Sequence, residues 1–373
     1  MSPQQHTPQA FSAQAPSLGV VLILAGGTGG HIFPGLAVAE ALRQRGWRVH
    51  WLGGRGSATA PSMESRLVPA HGFAMELVDF SGVRGKGLMT LLKLPVRLTQ
   101  AVRQSWQILR RIRPDVVVGL GGYISVPAGL ACALSGTALV LHEQNAVAGM
   151  ANRMLALVAQ RVYTAFPGVL SGAQWVGNPL RSGFLTQAAP AERFAERVGP
   201  LRVLVVGGSL GAQVLNQIVP RALALIPLAK RPLVRHQSGE KQIAALRAEY
   251  EGAGEQAELT PFIDDTAQAF AEADLVICRA GASTVTELAA VGVAAVYVPV
   301  ASAVDDHQTR NAEYLVKAGG GWLLPQSELT PQALLPFLLL SRKRLLAVAI
   351  QAKAMEKRRA TEEVVAACEE LKR

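Results

Sequence analysis

Aromatic residues are scarce in this chain: Phe, Trp and Tyr together make 5% of its 373 residues. That argues against single-strand nucleic-acid binding by base stacking, which needs an aromatic platform. Cysteine is scarcer still. Cys132, Cys278 and Cys368 are an odd number, widely spaced, and none sits in a metal-type pair. Buried thiols in a reducing cytosol are therefore expected. Long apolar runs are missing as well: none reaches membrane-spanning length without a charge or a glycine turn. Acidic residues are outnumbered, with 27 Asp and Glu against 37 Lys and Arg, a formal charge of +10. That balance favours an anionic partner: nucleic acid, acidic membrane or phosphorylated substrate. Charged residues are only 17% and hydrophobic ones 50%, so extensive disorder is not expected, and the length suits two domains with proper cores. Residues 1–17 are the exception. They are rich in Gln, Pro, Ser and Ala, lack the basic start and apolar core of a signal peptide, and read as a disordered tail.

What is present is one design used twice. Val20 to Ala25 runs straight into Gly26-Gly27-Thr28-Gly29-Gly30-His31, and Leu201 to Val206 runs into Gly207-Gly208-Ser209-Leu210-Gly211-Ala212. A parallel strand buried on both faces reads as an unbroken apolar run. Glycines after it allow a tight turn and close approach to a ligand, and the following helix start offers free N–H groups to an anion. Strands are expected at 20–25, 48–52, 75–80, 115–119, 138–142 and 161–165, then at 202–206, 233–236, 258–262, 274–278, 294–298 and 322–324. Helical patterns lie between most of them, and two more close the chain at 331–341 and 343–372. Residues 54–66 read as a long polar loop and 181–200, rich in Gly, Ala and Pro, as a linker. The expected class is α/β, with Rossmann-like parallel-sheet domains over 18–180 and 201–373, and the last helix free to pack back on the first domain.

The glycine loops do not fit a dinucleotide. That fingerprint needs G-x-G-x-x-G and an acidic residue about 20 positions on. Here the third glycine position holds Ile32, the second strand ends without Asp or Glu, and the partner strand of the second loop ends in Arg235-His236. No Walker lysine follows either loop.

Further motifs follow in order: Gly119-Leu120-Gly121-Gly122-Tyr123, His142-Glu143-Gln144-Asn145, Gly177-Asn178-Pro179-Leu180-Arg181, Phe262-Ile263-Asp264-Asp265, Cys278 to Glu287, and Asp305-Asp306-His307-Gln308-Thr309-Arg310-Asn311-Ala312. Together with Gly26 to Ala39 they resemble the MurG family, the UDP-N-acetylglucosamine:undecaprenyl-pyrophosphoryl-MurNAc-pentapeptide N-acetylglucosaminyltransferases of glycosyltransferase family 28, over about residues 20–320. The resemblance implies a GT-B fold, two Rossmann-like domains facing a central cleft. It implies an inverting, metal-independent transfer of GlcNAc to the lipid-linked muramoyl acceptor in cell-wall synthesis, with no cofactor. It also implies a peripheral enzyme on the cytoplasmic face of the inner membrane, with other cell-wall and division proteins among its partners.

Site roles carry over residue by residue. On the donor side the resemblance puts Glu287 at the ribose hydroxyls and the backbone of Ile263 at the uracil. It puts Ala282, Ser283, Thr284, Val285 and Thr286 with Ser209 and Arg181 around the diphosphate, and Gln308, with Asn145, at the sugar. A helix start presents free N–H groups to phosphates, and a cation beside the leaving diphosphate does the work of a metal ion. On the acceptor side Thr28, Gly29 and Gly30, also near the donor, would cradle the lipid-linked pyrophosphate, with Gly121, Gly122 and Tyr123 lining the pocket. His31 titrates near neutral pH and is a candidate general base. An equal alternative makes it a ligand of the acceptor pyrophosphate, and Glu143 is the rival base.

From Arg84 to Arg113 there are eight Lys or Arg and no acidic residue. Leu88, Leu91, Leu98, Val102, Trp106 and Leu109 recur at helical spacing, and Pro95 divides a short segment from a longer helix. Met89, Leu92 and Val96, beside Lys93 and Arg97, form an apolar edge ringed by cations, suited to an anionic membrane surface. The charge is thus concentrated beside apolar residues, and with no nucleic-acid motif in sight the sequence points to a membrane, not to nucleic acid.

Overall fold

The computed structural model describes residues 17–56, 61–80, 93–208, 211–300 and 306–372. Two parallel sheets carry the fold. The first, in the order β3-β2-β1-β4-β5-β6-β7, comprises β1 (Val20–Leu24), β2 (Arg48–Gly54), β3 (Ala74–Val78), β4 (Val116–Gly119), β5 (Ala138–Glu143), β6 (Arg161–Thr164) and β7 (Gln174–Trp175). The second, β10-β9-β8-β11-β12-β13, comprises β8 (Arg202–Val206), β9 (Leu233–Gln237), β10 (Glu258–Thr260), β11 (Leu275–Cys278), β12 (Ala294–Tyr297) and β13 (Trp322–Leu323). Helices of the first lobe are α1 (Gly29–Gln44), α2 (Met63–Ala70), α3 (Leu94–Ile112), α4 (Ser125–Ser135) and α5 (Met150–Leu155). Then come α6 (Ser182–Leu185), α7 (Pro190–Ala195), α8 (Gln213–Ala224), α9 (Ile243–Ala253), α10 (Thr266–Glu272), α11 (Ala282–Val291), α12 (His307–Val316), α13 (Pro331–Leu338), α14 (Arg342–Ala354) and α15 (Ala360–Glu370).

The unbroken apolar runs are explained by burial on both faces. Val21 and Ile23 of β1 pack with α1 and with Val364, Val365 and Cys368 of α15, while Leu22 and Leu24 pack with α3 and α4. The same alternation splits β8: Val203 and Val205 meet α8, α13 and α14, and Leu204 joins a core with α10 and α11. Burying each such side chain contributes about 1.5–3 kcal/mol, which is why the central strands need no polar alternation.

Three segments differ from the sequence reading. Residues 54–66 are not all loop, since α2 begins at Met63, capped by Ser62 Oγ, which accepts the Ser65 N–H at 3.2 Å. Residues 343–372 are not one helix. The chain leaves α14 at Met355 and restarts at Ala360, because α14 packs on the second lobe and α15 on α1 of the first. Residues 181–200 hold α6 and α7, and Phe184 and Phe194 enter the cores of the second sheet. There Arg197 pairs with the fully buried Asp274 at 2.6 Å. Residues 1–16 of the tail lie outside the described residues.

In each sheet the strand order reverses between two central strands, β1 and β4 in the first and β8 and β11 in the second. Ligands of open parallel sheets bind in the crevice at the carboxyl ends of such a pair. Those four ends carry the loops at 25–31, 119–124 and 279–282 and the described residues 207–208 and 211–212, so topology alone aims these glycine motifs at two crevices.

Candidate active site

In the first crevice two glycine loops touch. Gly122 has φ +86°, and a Cβ there would stand 2.5 Å from the Gly26 carbonyl oxygen, so no larger residue fits. Thr28 is the N-cap of α1, and His31 follows in the first turn. The Thr28 Oγ1 and His31 Nδ1 are 3.2 Å apart, and the imidazole edge lies against Gly121, where a Cβ would come 3.1 Å from its Cδ2. Burial lowers the His31 pKa below its ordinary value, while Glu143 and Glu64 act in the opposite direction and His307 adds to the lowering. His31 is thus a neutral imidazole at neutral pH with carboxylates nearby to stabilise its cation. The influence of His307, on α12 of the other lobe, puts the two imidazoles within electrostatic reach across the cleft. Tyr123 packs its ring edge beside Gly27 and its hydroxyl beside Gly54, and burial raises its pKa.

Glu143 ends β5, is 2% exposed, and is fully occupied. One oxygen accepts from Asn145 N at 2.8 Å and Asn145 Nδ2 at 3.3 Å; the other from Gly149 N at 3.1 Å and Asn152 Nδ2 at 2.8 Å. Four donors fill the four lone-pair positions of a carboxylate. Its geometry is that of an anchor for the 145–149 loop and leaves it no vacancy as a base. Asn145 in turn meets Asn311 of α12 at 3.4 Å, and Asn311 Oδ1 accepts the Ala146 N–H at 2.7 Å. These bonds join the lobes at the cleft floor. His142, beside it, is pushed down to about 4 by burial and bonds the Gly177 carbonyl at 2.8 Å.

In the second crevice α11 starts at Ala282 behind Gly281. Ser283 Oγ and Arg181 Nε are buried with no hydrogen-bond partner among the described residues. Buried polar atoms are rarely left so, and ligand binding is one recognised reason. Arg181 bridges the lobes, its guanidinium 5.2 Å from the Phe33 ring of α1 and 5.1 Å from that of Phe184. Glu287, in the second turn of α11, is 8% exposed; burial pushes its pKa up to about 7, against the lowering effect of Arg181. Gln308 Oε1 accepts from Ala280 N at 3.3 Å and Val300 N at 3.1 Å, which fixes the side chain between β11 and α11 on one side and the end of β12 on the other.

Several expected donor residues have other work. Val285 is wholly buried in the core, Ala282 and Ile263 nearly so, and Thr286 Oγ1 bonds the Ala282 carbonyl at 3.0 Å and accepts from Asn178 at 3.3 Å. Only their backbone atoms remain for a ligand, whereas the hydroxyl of Thr284 stays half-buried at the helix start. Asp265 caps α10 by accepting the Gln268 N–H at 2.9 Å. Ser209, Met89 and Leu92 lie outside the described residues, while Lys93, Val96 and Arg97 open α3. Among the described residues no cluster of three or more His, Cys, Asp or Glu is placed to hold a metal ion.

Sequence reasoning missed two supports of these loops. Glu64 lies under the first glycine loop and bonds the Gly27 N–H at 3.2 Å. Near the third glycine loop, buried His236 joins Tyr250 and Asn216, each at 3.1 Å, and Asn216 bonds Gln242 at 2.9 Å. Burial holds His236 neutral, pushed down to about 3. No local pattern marks either, because the partners are 14 to 37 residues away in sequence.

Two family models account for most of the chain: the glycosyltransferase family 28 N-terminal domain over residues 21–164 and the family 28 C-terminal domain over 202–368. A relative from a Polaromonas species is 67% identical over 355 residues, covering 95% of this chain and 92% of its own. It is named UDP-N-acetylglucosamine–N-acetylmuramyl-(pentapeptide) pyrophosphoryl-undecaprenol N-acetylglucosamine transferase. The crystal structure of Acinetobacter baumannii MurG is 38% identical, covers 95% of this chain and all of its own, and superposes with a TM-score of 0.81.

The chain belongs to the MurG family.

Its two lobes are those of a GT-B glycosyltransferase. The glycosyltransferase of kitacinnamycin, at 16% identity and a TM-score of 0.69 over 96% of this chain, shares that fold and nothing finer.

Proposed function

We propose that this MurG-family chain transfers GlcNAc from UDP-GlcNAc to the 4-hydroxyl of MurNAc in undecaprenyl-pyrophosphoryl-MurNAc-pentapeptide, with inversion at the anomeric carbon. The observation that carries this is the convergence of both switch-point crevices on one cleft. A neutral histidine and two glycine loops line one side; a helix start, a half-buried arginine and a buried carboxylate line the other. The name of the Polaromonas relative supports the substrates.

In this reading His31 takes the proton of the acceptor hydroxyl as its oxygen attacks C1 of GlcNAc. The bond from C1 to the β-phosphate oxygen breaks, and UDP leaves carrying the electron pair. Arg181, Ser283 and the N–H groups opening α11 stabilise the charge that grows on the diphosphate. Glu287 holds the ribose, Gln308 offers its NH2 to the sugar, and Thr28 to Gly30 hold the acceptor pyrophosphate. Glu143 acts through the loop it anchors. A transfer assay with a lipid-linked muramoyl acceptor and a panel of UDP-sugars tests the proposal. Incorporation from UDP-GlcNAc well above UDP-glucose is expected; no transfer to the lipid-linked acceptor contradicts it.

In this reading the lipid-linked acceptor calls for an enzyme that works at a membrane surface, on its cytoplasmic face. No helix among the described residues is long and apolar enough to cross a membrane. Val96, 62% exposed, lies beside Lys93 and Arg97 at the start of α3, and Met150 and Met154 are exposed on α5, which packs on the neighbouring α4. The stripe of α3 buries Ala101, Ser105, Ile108 and Leu109, leaving Val96 on the outer side. Cationic residues at such an edge each contribute about 1 kcal/mol near anionic lipid. Vesicles containing acidic phospholipid are expected to sediment with the protein, and Lys93→Glu with Arg97→Glu to weaken this by about tenfold or more. Binding indifferent to lipid charge contradicts the assignment.

A further inference from the structure

Glu64 is 0% exposed, and no cation among the described residues pairs with it. Its oxygens instead take one backbone N–H each from the ends of neighbouring strands. Oε2 accepts from Gly27, at 3.2 Å, beyond β1; Oε1 accepts from Gly54, at 3.2 Å, closing β2. A Cβ on Gly26 would stand 2.5 Å from Oε1, so the loop is shaped around this carboxylate. Ser62 ties the same corner, donating to the Gly54 carbonyl at 2.8 Å while it caps α2. Burying an anion without a cation is costly. The two N–H bonds and the position of Glu64 in the first turn of α2 offset part of that cost. A neutral amide of the same shape would avoid the cost but would present a donor to one of the two N–H groups. The arrangement therefore uses both the acceptor geometry and the charge.

We propose that Glu64 is a positioning residue for the acceptor side: it holds the Gly26–Gly30 loop in the shape that presents Thr28 to Gly30 to a diphosphate, and its charge supports the imidazolium formed when His31 takes a proton. The inference rests on the acceptor assignment above. The groups acting on His31 are Glu143 from the end of β5, a hydrogen bond to the Gly26 backbone, Glu64 from α2 and His307 from α12, with Thr28 Oγ1 at Nδ1. The two carboxylates favour the cation and His307 opposes it.

The test is steady-state kinetics of Glu64→Gln and Glu64→Asp with UDP-GlcNAc and a lipid-linked muramoyl acceptor across pH. UDP binding, measured by calorimetry, reports an intact second lobe. In Glu64→Gln a buried backbone N–H loses its acceptor, so KM for the lipid-linked acceptor rises about tenfold while KM for UDP-GlcNAc stays within about twofold. Loss of the anion also moves the acidic limb of the acceptor kcat/KM profile to lower pH. Glu64→Asp keeps the charge and returns the limb towards the wild-type position, while its shorter reach leaves the acceptor KM raised; it carries the test if Glu64→Gln does not fold. An unchanged acceptor KM in folded Glu64→Gln, or equal losses for donor and acceptor, overturns the proposal. A limb that persists unchanged in His31→Ala would instead fault the base assignment, and the KM split would still decide for or against Glu64.

Discussion

Replacing His31 with Ala lowers kcat for sugar transfer by a factor of about 10² to 10⁴, the contribution of a positioned general base, while UDP-GlcNAc binds as before. The reason is where the imidazole sits. It belongs to the first turn of α1, against Gly121 and Thr28, whereas the other crevice is built from Arg181, Ser283 and Glu287. Burial keeps it neutral at neutral pH and ready to accept a proton. The wild-type rate should therefore fall as pH drops through a value below 6.5, the ordinary histidine value, and His31→Ala should remove that dependence. Kinetics at saturating acceptor, with calorimetry for the donor, measure both. If His31 instead served only to bind the acceptor pyrophosphate, its loss would raise the acceptor KM and leave kcat largely intact.

The sheets were legible in the sequence because strands buried on both faces leave continuous apolar runs, as β1 and β8 do. The glycine loops were legible because close approach excludes side chains, as Gly122 against Gly26 shows. Local signals failed where the deciding partner is distant. The eight residues of α2 follow a Gly-, Ser- and Pro-rich stretch and look like more of the same; only the Ser62 cap marks their start. The break between α14 and α15 has neither Gly nor Pro, and is set by which lobe each helix covers. Glu143 attracted attention as a base by its chemistry, yet Asn145, Gly149 and Asn152 occupy it, a fact only the folded loop reveals. The acidic face of the site was undercounted for the same reason, since Glu64 has no motif of its own.

The second large effect concerns Glu287. A carboxylate that bonds two ribose hydroxyls must be ionised, yet burial in the unliganded lobe pushes its pKa up to about 7. Donor binding therefore releases a proton: affinity is highest above pH 7 and declines as pH falls through it. Between pH 8 and pH 6 the ionised fraction of such a group drops about tenfold, and UDP-GlcNAc affinity should drop with it. UDP-GlcNAc suits this better than UDP, because its diphosphate is a diester and does not titrate in that range. Glu287→Gln should weaken binding at pH 8 by about tenfold or more, the worth of a charge-assisted hydrogen bond, and should flatten the pH dependence. His31 also titrates at the cleft, and the same variant separates its titration from that of Glu287.

That calorimetric titration is the most direct test of the claim that the activated sugar is held by the second lobe at α11. The expected result is a pH-dependent affinity in the wild type that vanishes, together with most of the binding, in folded Glu287→Gln. Wild-type affinity and an unchanged pH profile in that variant would contradict the account.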